Sequence, residues 1–137
     1  MEIKGDRSQM FETTKSFTEI IAWQKSHELV LDVYKITKTF PIEERFGLSS
    51  QFQRAAVSIP ANIAEGYKKL SKADKLRFLN ISQGSLEECR YYILLSLDLS
   101  YIDTETFNYL NFKLEETSRF LNSYIKGIVE RNFNDSI

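Results

Sequence analysis

The sequence is poor in the residues that interrupt helices. Glycine and proline together account for only seven of the 137 residues, about 5% against about 12% in an average protein. A sandwich or barrel of many strands needs more turn-forming residues than this. The shortage therefore favours a small number of long helices, and the length fits one domain.

Cysteine, long apolar runs and excess charge are also scarce. The single cysteine, Cys89, cannot form an internal disulfide, which suits the reducing cytoplasm where we expect the protein to reside. The longest apolar run, residues 91–95, is far short of the roughly 20 residues of a membrane-spanning helix. The first 15 residues are polar and mixed in charge, unlike a signal peptide. A net charge of −1 gives no overall argument for nucleic-acid binding.

Apolar residues at helical spacing predict the first two helices. Ser16 and Glu19 form a capping box at the start of the first helix, and Pro41 ends it because the residue before a proline leaves the helical region. The second helix runs from about residue 48 to 70 and contains Pro60, where we expect a kink and not a break. The positions expected to face the core are Ile20, Trp23, His27, Val30, Leu31 and Tyr34 on the first helix, and Leu48, Phe52, Ala55, Ala56, Ile59, Ile63 and Tyr67 on the second.

Two further helices complete the predicted domain. Ser71 caps a third helix over about 72–99, and Asp103 caps a fourth. The apolar face of the fourth consists of Phe107, Leu110, Leu114, Thr117, Leu121, Tyr124 and Ile128. Four long helices with short connections predict an all-α, up-down-up-down antiparallel four-helix bundle. We expect a flexible arm over 1–15, the bundle domain over 16–131 and a frayed tail over 132–137.

Three segments carry a family resemblance. They are Trp23-Gln24-Lys25, the block from Arg54 to Gly66 with the sequence RAAVSIPANIAEG, and Gly84-Ser85-Leu86-Glu87-Glu88. With them, the chain resembles the four-helix-bundle family encoded in ribosomal RNA intervening sequences of bacteria, also described as ribosomal protein S23-like. The resemblance covers roughly residues 17 to 128.

The resemblance implies a protomer that assembles into a homopentameric ring, with no established enzymatic activity. The same resemblance relates the chain to the accessory variability protein of diversity-generating retroelements. That relative binds nucleic acid and a reverse transcriptase through a strongly basic surface. This chain is slightly acidic and so differs from that relative. The resemblance therefore supports a pentamer more strongly than it supports RNA or DNA binding.

A polar stripe follows one side of the second helix. Arg54, Ser58, Asn62 and Glu65 recur at steps of four, four and three, which places them on one face. In a tight antiparallel hairpin, residues whose numbers sum to about 141 face each other, so Arg54 would be level with Glu87 and could pair with it. We interpret the stripe as a structural feature that fixes helix register. The alternatives are a ligand pocket lined by Asn62, Glu65 and Glu87, or a subunit contact.

The sequence predicts no catalytic, metal or cofactor site. The only histidine, His27, is not part of a Glu-x-x-His pair of the kind that holds di-iron centres. With one histidine and one cysteine there is no zinc-type cluster, and the five glycines are too far apart for a phosphate loop. We therefore expect a protein that is not an enzyme, with Cys89 as a small core residue.

Two surfaces are candidates for partner binding. The predicted turn between the second and third helices carries four lysines and one arginine, and the only acidic residue among them is Asp74. We call these five basic residues the basic turn: Lys68, Lys69, Lys72, Lys75 and Arg77. Basic groups beside aromatic rings can hold RNA or DNA, although a short basic run is more often a solvated connection.

The third helix carries the second candidate surface. Five consecutive apolar residues over 91–95 point in every direction around the axis, so a lone bundle cannot cover all of them. The sequence thus predicts a subunit interface that includes Tyr91, Tyr92, Leu94 and Leu95. Overall it favours a self-assembling binding or scaffold module with RNA, DNA or a protein such as a reverse transcriptase as partner, or a purely structural assembly.

Overall fold

In the computed structural model, which describes residues 15–131, four helices form an antiparallel bundle. They are α1 (Ile21–Thr37), α2 (Leu48–Lys68), α3 (Lys72–Asp98) and α4 (Thr104–Glu130). Both α1 and α3 pack against α2 and α4, so the helices follow one another around a square. This confirms the predicted all-α four-helix bundle. The predicted arm, apart from Lys15, and the predicted tail lie outside the described residues.

The helix starts follow from local capping. Ser71 accepts a hydrogen bond from the Asp74 backbone at 3.1 Å, and Asp103 accepts one from the Thr106 backbone at 2.8 Å, as the sequence predicts. Ser16 instead caps a short 3-10 turn over Phe17–Glu19. As a result, α1 begins at Ile21, several residues later than the capping box indicates.

The core confirms the predicted faces of α2 and α4. Every predicted position on α2 is buried except Tyr67, which is half-buried. On α4, Phe107 and Tyr124 are half-buried and the other five predicted positions are buried. The helix α2 is continuous through Pro60, as expected of a proline that does not end the helix. Whether Pro60 bends it stays a prediction.

The predicted core face of α1 is partly wrong. Leu31 is 55% exposed, and His27 and Tyr34 also face solvent. The buried face is Ala22, Ser26, Leu29, Val30, Val33 and Thr37. The two hydroxyl residues can be buried because Ser26 donates to the Trp23 carbonyl at 2.9 Å and Thr37 to the Val33 carbonyl at 2.8 Å.

Candidate functional site

The contact between α2 and α3 contains most of the predicted polar stripe. Ser82 donates to the Ile59 carbonyl at 2.9 Å, and Ser85 donates to the Ser58 hydroxyl at 2.7 Å. Their residue numbers sum to 141 and 143, so the predicted register is confirmed. Asn62 donates to the Ser58 carbonyl and hydroxyl at 2.8 and 3.0 Å. The bonds of Ser82 and Ser85 hold α2 and α3 in register, and those of Asn62 satisfy its amide within α2.

The predicted pair between Arg54 and Glu87 is wrong. Glu87 binds Arg90 on its own helix at 3.0 Å, and Arg90 also reaches Glu115 on α4. The Arg54 guanidinium forms no ion pair with any residue of the described range. The reason is rotational: Glu87 is at the right level but lies on the side of α3 that faces α4, whereas Glu88 faces α2. Neighbouring residues in a helix differ by about 100°.

The alternative prediction, a ligand pocket lined by Asn62, Glu65 and Glu87, is not favoured, because each of these residues has a different partner. Asn62 binds Ser58, Glu65 lies 3.7 Å from Lys69, and Glu87 binds Arg90. These contacts favour the interpretation of the stripe as a structural feature.

A polar groove of about 320 Å³ lies between α2 and α3. Arg54 and Gln51 line one wall, Glu88 lines the other, and small residues form the floor. The Tyr92 hydroxyl lies 3.1 Å from the Glu88 carboxylate and 3.2 Å from the Gln51 side-chain carbonyl. Burial and the bond to Glu88 raise the pKa of Tyr92, which keeps the hydroxyl protonated. The groove thus contains neutral and charged binding groups, but its lining has no nucleophile paired with a base.

The residues capable of metal or nucleophilic chemistry lie apart from one another. His27 stacks on Trp23 with ring centroids 4.9 Å apart, and its predicted burial is corrected above. Cys89 is fully buried, as predicted. Within residues 15–131, no group of three histidine, cysteine, aspartate or glutamate side chains could hold a metal ion.

Cys89 is expected to be inert in the native protein. Burial, followed by the nearby Glu88 carboxylate, raises its pKa to about 12, so the reactive thiolate is scarce at neutral pH. Iodoacetamide should alkylate Cys89 only as fast as the protein unfolds, and should react fully in denaturant. Rapid alkylation of the native protein, followed by mass spectrometry, would contradict this environment.

The basic turn is used largely within the molecule. The Lys72 ammonium donates to the Val129 carbonyl at 2.8 Å, near the end of α4. The Lys75 ammonium donates to the Tyr67 carbonyl at 2.8 Å, at the end of α2. Cations at helix C-termini satisfy free carbonyls and oppose the helix dipole. Burial, and then the charge of Arg131, lowers the pKa of Lys75.

The other cations of the basic turn have carboxylate neighbours or face solvent. Lys69 lies 3.7 Å from Glu65, Arg77 binds Asp74 at 3.0 Å, and Lys68 is exposed. These contacts favour a structural role for the turn. The binding of RNA or DNA there stays a prediction.

The predicted interface residues of α3 divide into two pairs. Tyr91 is 57% exposed and Leu94 is 47% exposed. Tyr92 packs inside the bundle against Phe52, with ring centroids 5.8 Å apart, and Leu95 is half-buried against the core. Only the outward pair is therefore available to another molecule.

The outward pair lines a groove between α3 and α4. This α3–α4 groove has a volume of about 380 Å³ and is lined by Glu87, Arg90, Tyr91, Leu94, Phe107 and Asn111. Periodicity did not reveal the contribution of α4, because Phe107 also fits the core face of that helix.

Comparisons with known proteins agree with this architecture. None of the helices within residues 15–131 combines the length and the hydrophobicity of a membrane-spanning segment. No curated protein matches the sequence. A solved structure from Bacteroides thetaiotaomicron, a protein of unknown function from the S23 ribosomal protein family, is 31% identical. The match covers 77% of this chain and 96% of that one, with a TM-score of 0.72.

The family model of the 23S rRNA-intervening sequence protein matches residues 18–123. That range includes α1, α2, α3 and most of α4. The chain therefore belongs to the 23S rRNA-intervening sequence protein family.

Proposed function

We propose that this protein is a non-enzymatic scaffold in the cytoplasm that self-assembles through the α3–α4 groove. The observation that carries the proposal is the pair of outward apolar side chains, Tyr91 and Leu94, beside Phe107 on α4. Contiguous apolar surface of this kind on a small protein is typical of an interface.

A ring of five copies is the assembly that the family resemblance implies. A ring requires a head-to-tail contact whose rotation closes after a whole number of copies. A stable contact between two proteins buries roughly 1,200–2,000 Å² in total, so the α3–α4 groove would form the centre of a larger patch. Native mass spectrometry should count five subunits.

A charge placed in the groove tests the proposal. The Leu94→Asp variant would bury a third carboxylate beside Arg90, which already binds Glu87 and Glu115, and this excess of buried negative charge costs several kcal/mol. We expect its mass in solution to fall to that of one chain, 16.0 kDa, as measured by light scattering after size exclusion.

The matched control is Leu31→Asp, which changes a leucine of similar exposure on α1. It should leave the assembled mass unchanged, and circular dichroism should show that both variants keep their helices. An unchanged mass for Leu94→Asp, or dissociation by Leu31→Asp instead, would refute this interface.

A further inference from the structure

We propose that Phe46 of one copy inserts into the α3–α4 groove of the next copy, with Arg45 facing the carboxylates at the rim of that groove. The inference rests on the proposed self-assembly and names the two surfaces that meet. The contact then joins two different sites, the α3–α4 groove of one copy and the Phe46 connection of another.

Phe46 is an aromatic side chain without a place in its own core. It lies in the connection between α1 and α2 and is 85% exposed. Its only described ring contact is with Arg45, whose guanidinium carbon lies 4.8 Å from the ring centroid. Aromatic and arginine side chains are the residue types most enriched in the energetic centres of interfaces. The pair therefore has the composition of a binding anchor.

The connection that carries Phe46 is held by several hydrogen bonds. Glu44 accepts from the Leu48 backbone at 3.0 Å, which caps α2, and it accepts from the Tyr101 hydroxyl at 2.7 Å. The Gly47 backbone donates to the Glu44 carbonyl at 2.9 Å. The capping bond, followed by the bond to Tyr101, lowers the pKa of Glu44. A side chain presented on a pre-ordered connection loses less conformational entropy on binding.

The α3–α4 groove suits an aromatic side chain. Two of its lining residues are aromatic, Tyr91 on α3 and Phe107 on α4, and Leu94 adds an aliphatic side chain. Aromatic rings favour offset or edge-to-face contacts with one another. The volume of about 380 Å³ leaves room for a phenyl ring.

One cation beside Phe46, Arg45, matches the negative charge at the groove, although Glu43 and Glu44 precede it in the same connection. Glu87 and Glu115 share one cation, Arg90, so the rim carries an excess of one negative charge. Both carboxylates are more than half exposed. Arg45 accompanies Phe46 and has no carboxylate partner in the described residues. A pairing of Arg45 with these carboxylates would fix the orientation of the two surfaces.

The two sites are built from different elements of the fold. Phe46 lies on the connection between α1 and α2, whereas the groove lies between α3 and α4. The exposure of Phe46 shows that it does not fill the groove of its own chain. The contact is head-to-tail when two copies do not exchange it about a two-fold axis, and each copy then offers a free site for another.

The variant Phe46→Ser tests the inserted side chain. Loss of an energetic centre is expected to weaken self-association about 30-fold or more, so the assembly should dissociate at concentrations where the wild type is intact. The control is Leu70→Ser, since Leu70 is an even more exposed residue in another connection, at 96%. It should leave the assembly unchanged.

Mixing two dissociated variants tests whether Phe46 of one copy binds the groove of another. The Leu94→Asp variant keeps Phe46, and the Phe46→Ser variant keeps an intact groove. Together, at high concentration, they should form a complex of one copy each, with twice the chain mass of 16.0 kDa. Neither variant alone should do so.

The outcomes distinguish this inference from the proposed function. If the wild-type protein is a monomer in solution, both the proposed self-assembly and the proposed role of Phe46 are overturned. If Leu94→Asp dissociates while Phe46→Ser keeps the wild-type mass, or if the mixed variants stay separate, only the role of Phe46 is overturned. Dissociation by Leu70→Ser with an intact Phe46→Ser assembly would place the contact at the opposite end of the bundle.

Discussion

Replacing Leu114 with alanine is expected to lower the free energy of unfolding by about 2–5 kcal/mol. Leu114 lies in the middle of α4 and is fully buried. The substitution removes three carbon atoms from a packed core, and the surrounding helices cannot collapse completely around the cavity. Urea denaturation followed by circular dichroism measures the loss.

Leu31→Ala is the matched control for this core substitution. Leu31 is also within a helix, but it is 55% exposed, so its removal should change the free energy of unfolding by about 0.5 kcal/mol or less. Both variants must be compared at one protein concentration, because self-association adds to the apparent stability. Equal losses at the two positions would contradict the assignment of the α1 core face.

Gly66→Gln is expected to destabilise the protein by about 1–3 kcal/mol. Gly66 lies in the last turn of α2, where that helix packs against α3. A Cβ added there would lie 3.3 Å from the Lys75 carbonyl oxygen and 3.3 Å from the Phe78 Cβ. A longer side chain would have to push the two helices apart or displace Phe78.

The same substitution at Gly84 should have the opposite sign. A Cβ at Gly84 meets nothing within 4 Å, and the residue is exposed within α3. Glutamine is a better helix former than glycine, so Gly84→Gln should gain up to about 1 kcal/mol. Thermal unfolding compares the two variants. A stabilising Gly66→Gln would contradict the close approach of α2 and α3.

The helices themselves were predictable because their signals are local. Ser71 and Asp103 cap helices through residues three positions away, and the buried faces of α2 and α4 recur at regular spacing. The α1 face was not predictable in the same way. Its apolar residues recur on two sides, and the correct side includes Ser26, whose hydroxyl is satisfied within the helix.

The candidate sites depend more on three-dimensional neighbours. The register of α2 and α3 followed from the length of the hairpin, but the side of α3 that carries Glu87 did not. The contacts of Lys72 and Lys75 with helix-end carbonyls also have no sequence signal, since one of them joins residues 57 positions apart. The exposed Phe46 is equally invisible to periodicity, because it lies outside every helix.

The mass of the wild-type protein in solution tests the central claim most directly. Sedimentation equilibrium over a wide range of concentrations should give a multiple of the chain mass of 16.0 kDa, with five copies as the multiple that the family resemblance implies. A mass of 16.0 kDa at every concentration would contradict the claim, because Tyr91 and Leu94 would then face water in the native protein.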